Sequence, residues 1–344
     1  MQKHTIQDIA QIAGVSPATV SRALNNFPGV RGESRRKILS VAKSLGYAPK
    51  IAMNRATGDC GSIIGIVIGG DLRNPFYAEI AYHMEKRLKR YGYLPVLFPF
   101  SNFQKPQARS STPCLPQRLS GLILISVDEP PEFLDSLKSL TIPTVLLLNY
   151  SVGSEMSCSV VILDDFQSGY TATRHLIEYG HTKIAFLTGP ERSAVSAARL
   201  QGYRQALGYY NIPFREDMVY PGDFTLERGR KTALACIAKG ELPTALICCN
   251  DLMAIGFLDE CEHNGIKIPE EISVIGFNDI PSASLERIAL TTMRQSTAEM
   301  GFQAVELLHK KISRPESGNE YVILDSQLIV RRTTGVLPAD RKQK

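Results

Sequence analysis

Over the first 47 residues the apolar positions repeat at helical spacing, and beyond about residue 61 they gather into short β-rich runs alternating with amphipathic stretches. In "TIQDIAQIA", Ile6, Ile9, Ala10 and Ala13 share one face. A tight turn at Gly14 follows. Ser16 then supplies an N-cap oxygen and Pro17 suits the first helical position, where a missing N–H costs nothing, so "SPATVSRALNN" opens a second short helix. Its Val20 and Leu24 face the first helix. A third helix, "GESRRKILSVAKSLGY", turns Ile38, Val41, Ala42 and Leu45 inward. Two short helices meeting at a corner leave Thr19, Ser21, Arg22 and Asn25 to solvent, and such an outer face fits a DNA major groove about 12 Å wide.

The pattern changes after the linker "KIAMNRATGDCG". Strand-like runs "SIIGIVIG", "LPVLF", "GLILIS", "TVLLL", "VVIL" and "KIAFLTG" alternate with helical stretches such as "FYAEIAYHMEKRLKRYGY" and "GYTATRHLIEYGH". After Arg199 come a helix, "ALICC", the helix "NDLMAIGFLDECEHNG", "ISVIGF", the helix "STAEMGFQAVELLHKKI" and a terminal pair, "YVIL" and "SQLIVRRTT". That is too many strands for one comfortable sheet. The expected fold class is α/β: an all-α helix-turn-helix headpiece before a core of two doubly wound parallel sheets, with ligands beyond the carboxyl ends of the strands. One stretch resists assignment. "SNFQKPQARSSTPCLPQRLS" carries Pro106, Pro113 and Pro116 and lacks a clean apolar stripe, so no helix is assigned there.

The net charge of +5 sharpens the picture because it is unevenly placed. The first sixty residues hold nine Lys and Arg against three Asp and Glu, while the remainder holds thirty against thirty-one. A basic segment joined to a nearly neutral body is an electrostatic footprint for phosphate. The seven cysteines are scattered without a C-x-x-C pair and the six histidines without H-E-x-x-H, so neither a metal nor a cofactor is expected. Dispersed thiols without a signal peptide fit a reducing cytoplasm, and no apolar run nears the roughly 20 residues of a membrane span. An enzyme reading fails on spacing: "GIVIGGD" is neither G-x-G-x-x-G nor a P-loop, and its glycines read as a strand-ending turn. A transport-type binding protein would open on a secretory signal and carry no DNA reader.

These segments, from Thr5 to about Gly335, resemble the LacI/GalR family of bacterial transcription regulators. "TIQDIAQIAGVSPATVSRALNN" is similar to that family's helix-turn-helix, "LGYAP" to the end of its third helix and "RNPFY" to the start of its first core helix. Further likenesses follow in order in "HLIEYGHTKIAFLTGP", "ARLQGYRQAL", "CNDLMAIGFLDECEHNGIKIPEEISVIGFNDIP" and "LTTMRQSTAEMGFQAVELL". The resemblance implies a DNA-binding headpiece (1–47), a hinge (48–61) that lies in the minor groove, and an effector-binding and dimerisation core (62–337). That core would be two-lobed and similar to periplasmic sugar-binding proteins. Lobe one would take about 62–162 and 292–322, and lobe two about 163–291 and 323–337.

The resemblance also implies roles for single residues. Arg22 matches a base-contacting arginine whose fork can take guanine O6 and N7 together, worth about 1–3 kcal/mol of discrimination. Pro17 and Ala18 offer apolar base-edge contact, and Thr5, Ser16, Thr19, Ser21 and Asn25 complete the DNA-facing set. Ala56 stands where relatives carry a leucine wedge, so either Met53 substitutes or the operator is bent less. The effector positions are Phe76, Tyr77, Asn149, Arg199, Asn250, Asn278 and Gln295, planar polar groups and aromatic rings of the kind a sugar needs. Asn149 and Asn278 replace frequent aspartates, which favours an anionic effector such as a sugar acid or sugar phosphate. The expected activity is that of a repressor, acting as a homodimer on a palindromic double-stranded operator under control of a small molecule, either inducer or corepressor. The tail "GVLPADRKQK" lacks leucine heptads, so no coiled-coil tetramer is expected.

Overall fold

The computed structural model describes residues 5–24, 30, 32–44, 62–100, 119–127, 142–148, 158–240 and 242–337. It divides into two compact units, one running to Ile63 together with Gly92–Leu94 and the other holding the rest of the chain. In the first, α1 (Ile6–Ala13), α2 (Pro17–Leu24) and α3 (Gly32–Ser44) surround a core of Ile9, Ala10, Ala13, Val20, Ala23, Ile38 and Ala42. Gly14 ends α1 in the left-handed region at φ 70°, where a side chain would be strained. Ala23 joins this core although the apolar spacing did not single it out. The side chains of Ile6 and Leu24, and all of Leu45, lie outside the described residues.

The second unit is α/β. Its first sheet has the order β11-β5-β4-β3-β1-β2, from β1 (Ile63–Ile68), β2 (Leu94–Pro99), β3 (Leu119–Ile125), β4 (Thr144–Leu147), β5 (Ser159–Leu163) and β11 (Tyr321–Leu324). Two helices pack against one another in this lobe, α4 (Pro75–Arg90) and α9 (Thr297–Ser313). Its second sheet has the order β12-β10-β9-β8-β6-β7, from β6 (Ile184–Leu187), β7 (Val219–Tyr220), β8 (Ala245–Cys248), β9 (Ser273–Asn278), β10 (Thr291–Gln295) and β12 (Ser326–Ile329). With it go α5 (Asp165–Glu178), α6 (Ala194–Tyr209), α7 (Leu226–Ala238) and α8 (Asp251–His263). The central strands are mainly apolar, as both-face burial requires: every residue of β9 is buried, and so is every residue of β5 and β8, the polar Ser159, Ser273 and Asn278 at strand ends included.

Several expectations are corrected. The second sheet is not wholly parallel, because β12 runs antiparallel to β10, pairing Met293 with Leu328. The terminal pair is shared between the sheets: β11 adds in parallel to β5 of the first sheet and β12 joins the second. Between Arg199 and β8 the chain makes not one helix but α6, β7 and α7. The lobe crossings also move by a few residues. β5 runs to Leu163, β10 belongs to the second sheet up to Gln295, and β11 runs to Leu324, because the pairs Leu324–Leu163, Arg294–Asn278 and Gln295–Ser326 carry the ladders to those points. The unassigned stretch 101–118 lies outside the described residues.

Candidate functional site

The headpiece residues come from two capped helix starts. Thr5 caps α1 reciprocally with Asp8: its backbone N–H donates to Asp8 Oδ2 at 2.7 Å, and its Oγ1 accepts from Asp8 N at 3.4 Å. Ser16 caps α2 by accepting from Thr19 N at 3.1 Å, and its hydroxyl meets that of Thr19 at 2.8 Å. Both caps leave their residues exposed, Thr5 at the start of α1 and Ser16 and Pro17 at the start of α2. Ala18, Ser21 and Arg22 lie on α2 with side chains outside those described, and Asn25, Met53 and Ala56 lie outside the described residues altogether.

In the core, a cavity of about 260 Å³ opens where strands of both sheets end. Gly69 and Gly70 follow β1, Ser126 and Val127 follow β3, and Leu148 follows β4; from the other lobe come Cys249 and Asn250 after β8, Asn278 ending β9 and Gln295 ending β10. This is the placement expected of doubly wound sheets. Gly69 turns the chain there, donating its N–H to Ile125 O at 2.9 Å. Six of the seven residues assigned to an effector, Phe76, Tyr77, Arg199, Asn250, Asn278 and Gln295, line this one cavity. Asn149 lies outside the described residues.

The polar members are tied into a chain of bonds. Asn278 Nδ2 donates to Gln295 Oε1 at 2.8 Å, Gln295 Nε2 to Asp165 Oδ1 at 3.3 Å, and Arg199 Nε to the same carboxylate oxygen at 2.7 Å. Arg199 Nη1 also donates to Cys249 O at 2.5 Å, and its guanidinium lies 4.4 Å from the centre of the Phe277 ring. Arg199 sits in the second turn of α6 rather than at its start, 3% exposed and paired with a fully buried carboxylate. A buried charge needs such a partner. Asn250 differs from expectation in that both ends of its amide are engaged: Oδ1 accepts from Met253 N at 2.9 Å, capping α8, and Nδ2 donates to Phe224 O at 2.8 Å.

Sequence reasoning missed several members of this wall. Phe224, Ser126 and Leu148 line the cavity with φ of 66°, 49° and 59°, and Asn278 does so at 108°. Non-glycine residues in this region are strained and gather at ligand clamps. Nothing in the residue types of Ser126, Leu148 or Phe224 announces such a backbone. Asp251, beside Asn250, is buried and accepts from Thr292 Oγ1 at 2.6 Å and Ile280 N at 2.8 Å, so it fixes the loop that carries Asn278. Burial pushes its carboxyl up to about 7, with both hydrogen bonds acting the other way. Burial likewise pushes the Cys249 thiol up to about 11, which keeps it an inert wall residue.

Known proteins share both halves of this arrangement. Residues 5–50 match the lacI family of bacterial regulatory proteins, and residues 173–334 match a periplasmic binding protein-like domain. The transcriptional repressor PurR of Haemophilus influenzae (strain PittEE) is 31% identical over 333 residues, covering 96% of this chain and 98% of its own. The transcriptional regulator CelR, solved with cellobiose, is 26% identical with a TM-score of 0.69, covering 96% of this chain and 99% of that one. A LacI family regulator from Enterococcus faecium, solved with ribose, is 26% identical with a TM-score of 0.70 over 80% of this chain and 100% of that one. These relatives are transcriptional regulators rather than enzymes, and no helix among the described residues is long and apolar enough to cross a membrane. The helix corner, the two-sheet core and these likenesses converge: the chain belongs to the LacI family and is a DNA-binding transcriptional repressor.

Proposed function

We propose that this repressor is a homodimer whose hold on a palindromic operator is set by a sugar, sugar acid or sugar phosphate bound in the core cavity. In this reading residues 1–47 read DNA, 48–61 form the hinge and 62–337 the sensing and dimerising core. Arg22 reads guanine, Pro17 and Ala18 touch base edges, and Thr19, Ser21 and Asn25 hold phosphates with Thr5 and Ser16 beside them; Met53 or Ala56 meets the minor groove. Phe76, Tyr77, Asn149, Asn278 and Gln295 face the ligand, Arg199 couples it to the second lobe, and Asn250 acts by holding Phe224. The observation that carries the reading is that one cavity gathers six of these residues from both lobes: Phe76 and Tyr77 from the first turn of α4, Arg199 from α6, and Asn250, Asn278 and Gln295 from strand ends of the second sheet. A ligand touching both lobes favours one lobe arrangement, and only that preference can shift operator affinity.

The test begins by recovering genomic fragments bound by the full chain and titrating the best fragment with sugars and their acids and phosphates. Arg22→Ala should lose preference for that fragment over random DNA, whereas Asn25→Ala weakens both alike. Replacing the buried pair together, Arg199→Gln with Asp165→Asn, leaves no uncompensated charge and should keep operator binding while abolishing its response to ligand. An unaltered response in that variant rejects the cavity as the sensor.

A further inference from the structure

We propose that Asn264 is a self-modification site: the backbone nitrogen of Gly265 attacks its carboxamide, and the C-terminal cap of α8 sets how fast. Of the asparagines in the chain, Asn264 alone precedes a glycine. A side chain on the following residue shields that residue's nitrogen, so an Asn-Gly pair is where such a ring closes most readily.

The fold itself demands this pair. α8 ends at His263, Asn264 caps it at φ −94° and ψ 9°, and Gly265 reverses the chain at φ 73°, in the left-handed region that favours glycine. Gly265 N donates to Glu262 O at 3.0 Å and Ile266 N to Cys261 O at 2.9 Å, which folds the chain back over the helix end. Asn264 and Gly265 are both exposed, so water reaches them.

The same cap restrains the reaction. Asn264 Nδ2 donates to Glu260 O at 2.8 Å and to Glu260 Oε1 at 2.9 Å, which holds the carboxamide along the helix. At ψ 9° the Gly265 nitrogen eclipses Asn264 N, whereas a five-membered ring needs it beside Cβ. Closing the ring therefore turns that peptide and breaks the bond from Gly265 N to Glu262 O together with both bonds to Glu260. Helix ends open at far lower cost than helix middles, so the reaction runs through the frayed end of α8.

The step balances with water alone. Gly265 N gives up its proton and bonds to Asn264 Cγ, the bond from Cγ to Nδ2 breaks, and Nδ2 leaves as ammonia with that proton. Water then opens the succinimide. Attack at Cγ gives aspartate, and attack at the backbone carbonyl gives isoaspartate, whose chain runs on through the side chain. Either product places a carboxylate beside Glu260 at the negative end of the helix dipole. Isoaspartate also adds a methylene to the backbone, and the two bonds that fold Gly265 and Ile266 back are lost. The helix that loses its cap is the one whose start carries Asn250 in the cavity wall, so the modification loosens the second lobe.

The experiment incubates the full chain in mildly alkaline buffer, natively and in guanidinium chloride, beside Asn264→Gln, Glu260→Ala and Glu260→Gln. Melting curves check that each variant folds. Peptide mass spectrometry locates every amide-to-acid exchange, and an isoaspartyl methyltransferase with labelled S-adenosylmethionine counts the isoaspartyl product. In the native chain the exchange should gather at Asn264, and the modified fraction should melt at a lower temperature. Denaturation should speed it about tenfold or more, because the hydrogen bonds of the cap no longer hold the pair. Glu260→Ala should react about threefold faster than the wild type, and Glu260→Gln, which keeps an acceptor for Nδ2, at the wild-type rate. Asn264→Gln should form no isoaspartate at this position. A native chain that exchanges elsewhere but not at Asn264, or nowhere, overturns the proposal. Equal rates in native and denatured protein, or no acceleration in Glu260→Ala, also overturn it, since the cap then controls nothing.

Discussion

Asp251 carries a carboxyl that burial holds near neutrality, and its stability contribution runs opposite to that of an ordinary salt-bridged acid. Its folded value, about 7, lies above the ordinary 3.8. The folded protein therefore binds this proton more tightly than the unfolded chain, so its contribution is full below 3.8 and lost as pH rises through 7. Asp251→Asn keeps an acceptor for Ile280 N and a partner for Thr292 Oγ1 without the titration. The wild type should lose stability relative to that variant between pH 5 and pH 8, on the order of a few kcal/mol. Urea midpoints of the two proteins at both pH values decide it, and parallel midpoints count against a raised carboxyl.

The pairing of α5 with α6 is decided by glycines on the facing sides. A Cβ on Gly202 would lie 2.1 Å from Phe166 O, and one on Gly169 would lie 2.2 Å from Arg199 O. The helices pack backbone to backbone at this crossing, and that approach carries Arg199 to Asp165. Gly202→Ala must push the helices apart and should lower stability by about 1–3 kcal/mol. Gly208 lies in the same helix with nothing within 4 Å of its added Cβ, so Gly208→Ala should instead stabilise by up to about 1 kcal/mol. Melting temperatures of the two variants should therefore move in opposite directions. A shared direction would mean that helix propensity, not the crossing, sets the outcome.

Across the whole molecule, the last described residues lace the second lobe together. His175 Nε2 meets Thr334 Oγ1 at 3.1 Å, His181 Nε2 meets Gly335 O at 3.0 Å, and Leu337 N donates to Tyr179 O at 2.8 Å. A carbonyl only accepts, so His181 must carry its proton on Nε2, which leaves its buried Nδ1 without a partner among the described residues. Burial lowers both imidazoles below 6.5, outweighing Glu178 near His175 and the Gly335 bond at His181. With folded values depressed, the unfolded chain binds these protons first, and stability present above 6.5 is lost as pH falls through it. Acidification from pH 7.5 to 5.5 should destabilise the wild type more than His175→Gln or His181→Gln, each compared with the wild type so that the opposite slope of Asp251 cancels. Equal pH slopes in all three proteins would exclude this latch.

Much was legible in the sequence because it depends on local chemistry. Helical spacing, Ser16 before Pro17, and a glycine after α1 define the helix corner, and short apolar runs define the strands of two sheets. The excess of basic residues among the first sixty follows from composition alone. Which side chains share a cavity does not, because Phe76 and Gln295 are brought together only by two sheets whose strands the chain visits out of order. The split of β11 and β12 between sheets is likewise decided by partners far away in sequence, not by their own residues. The same holds for the site's finer chemistry. Asn250 lines the cavity, but only the tertiary structure shows Met253 N and Phe224 O engaging both ends of its amide, and the left-handed backbones of Ser126, Leu148 and Phe224 are imposed by packing that no single residue encodes. Sequence determined the elements because their determinants lie within a few residues of one another; the tertiary structure alone decided which donors and acceptors remain to meet a ligand.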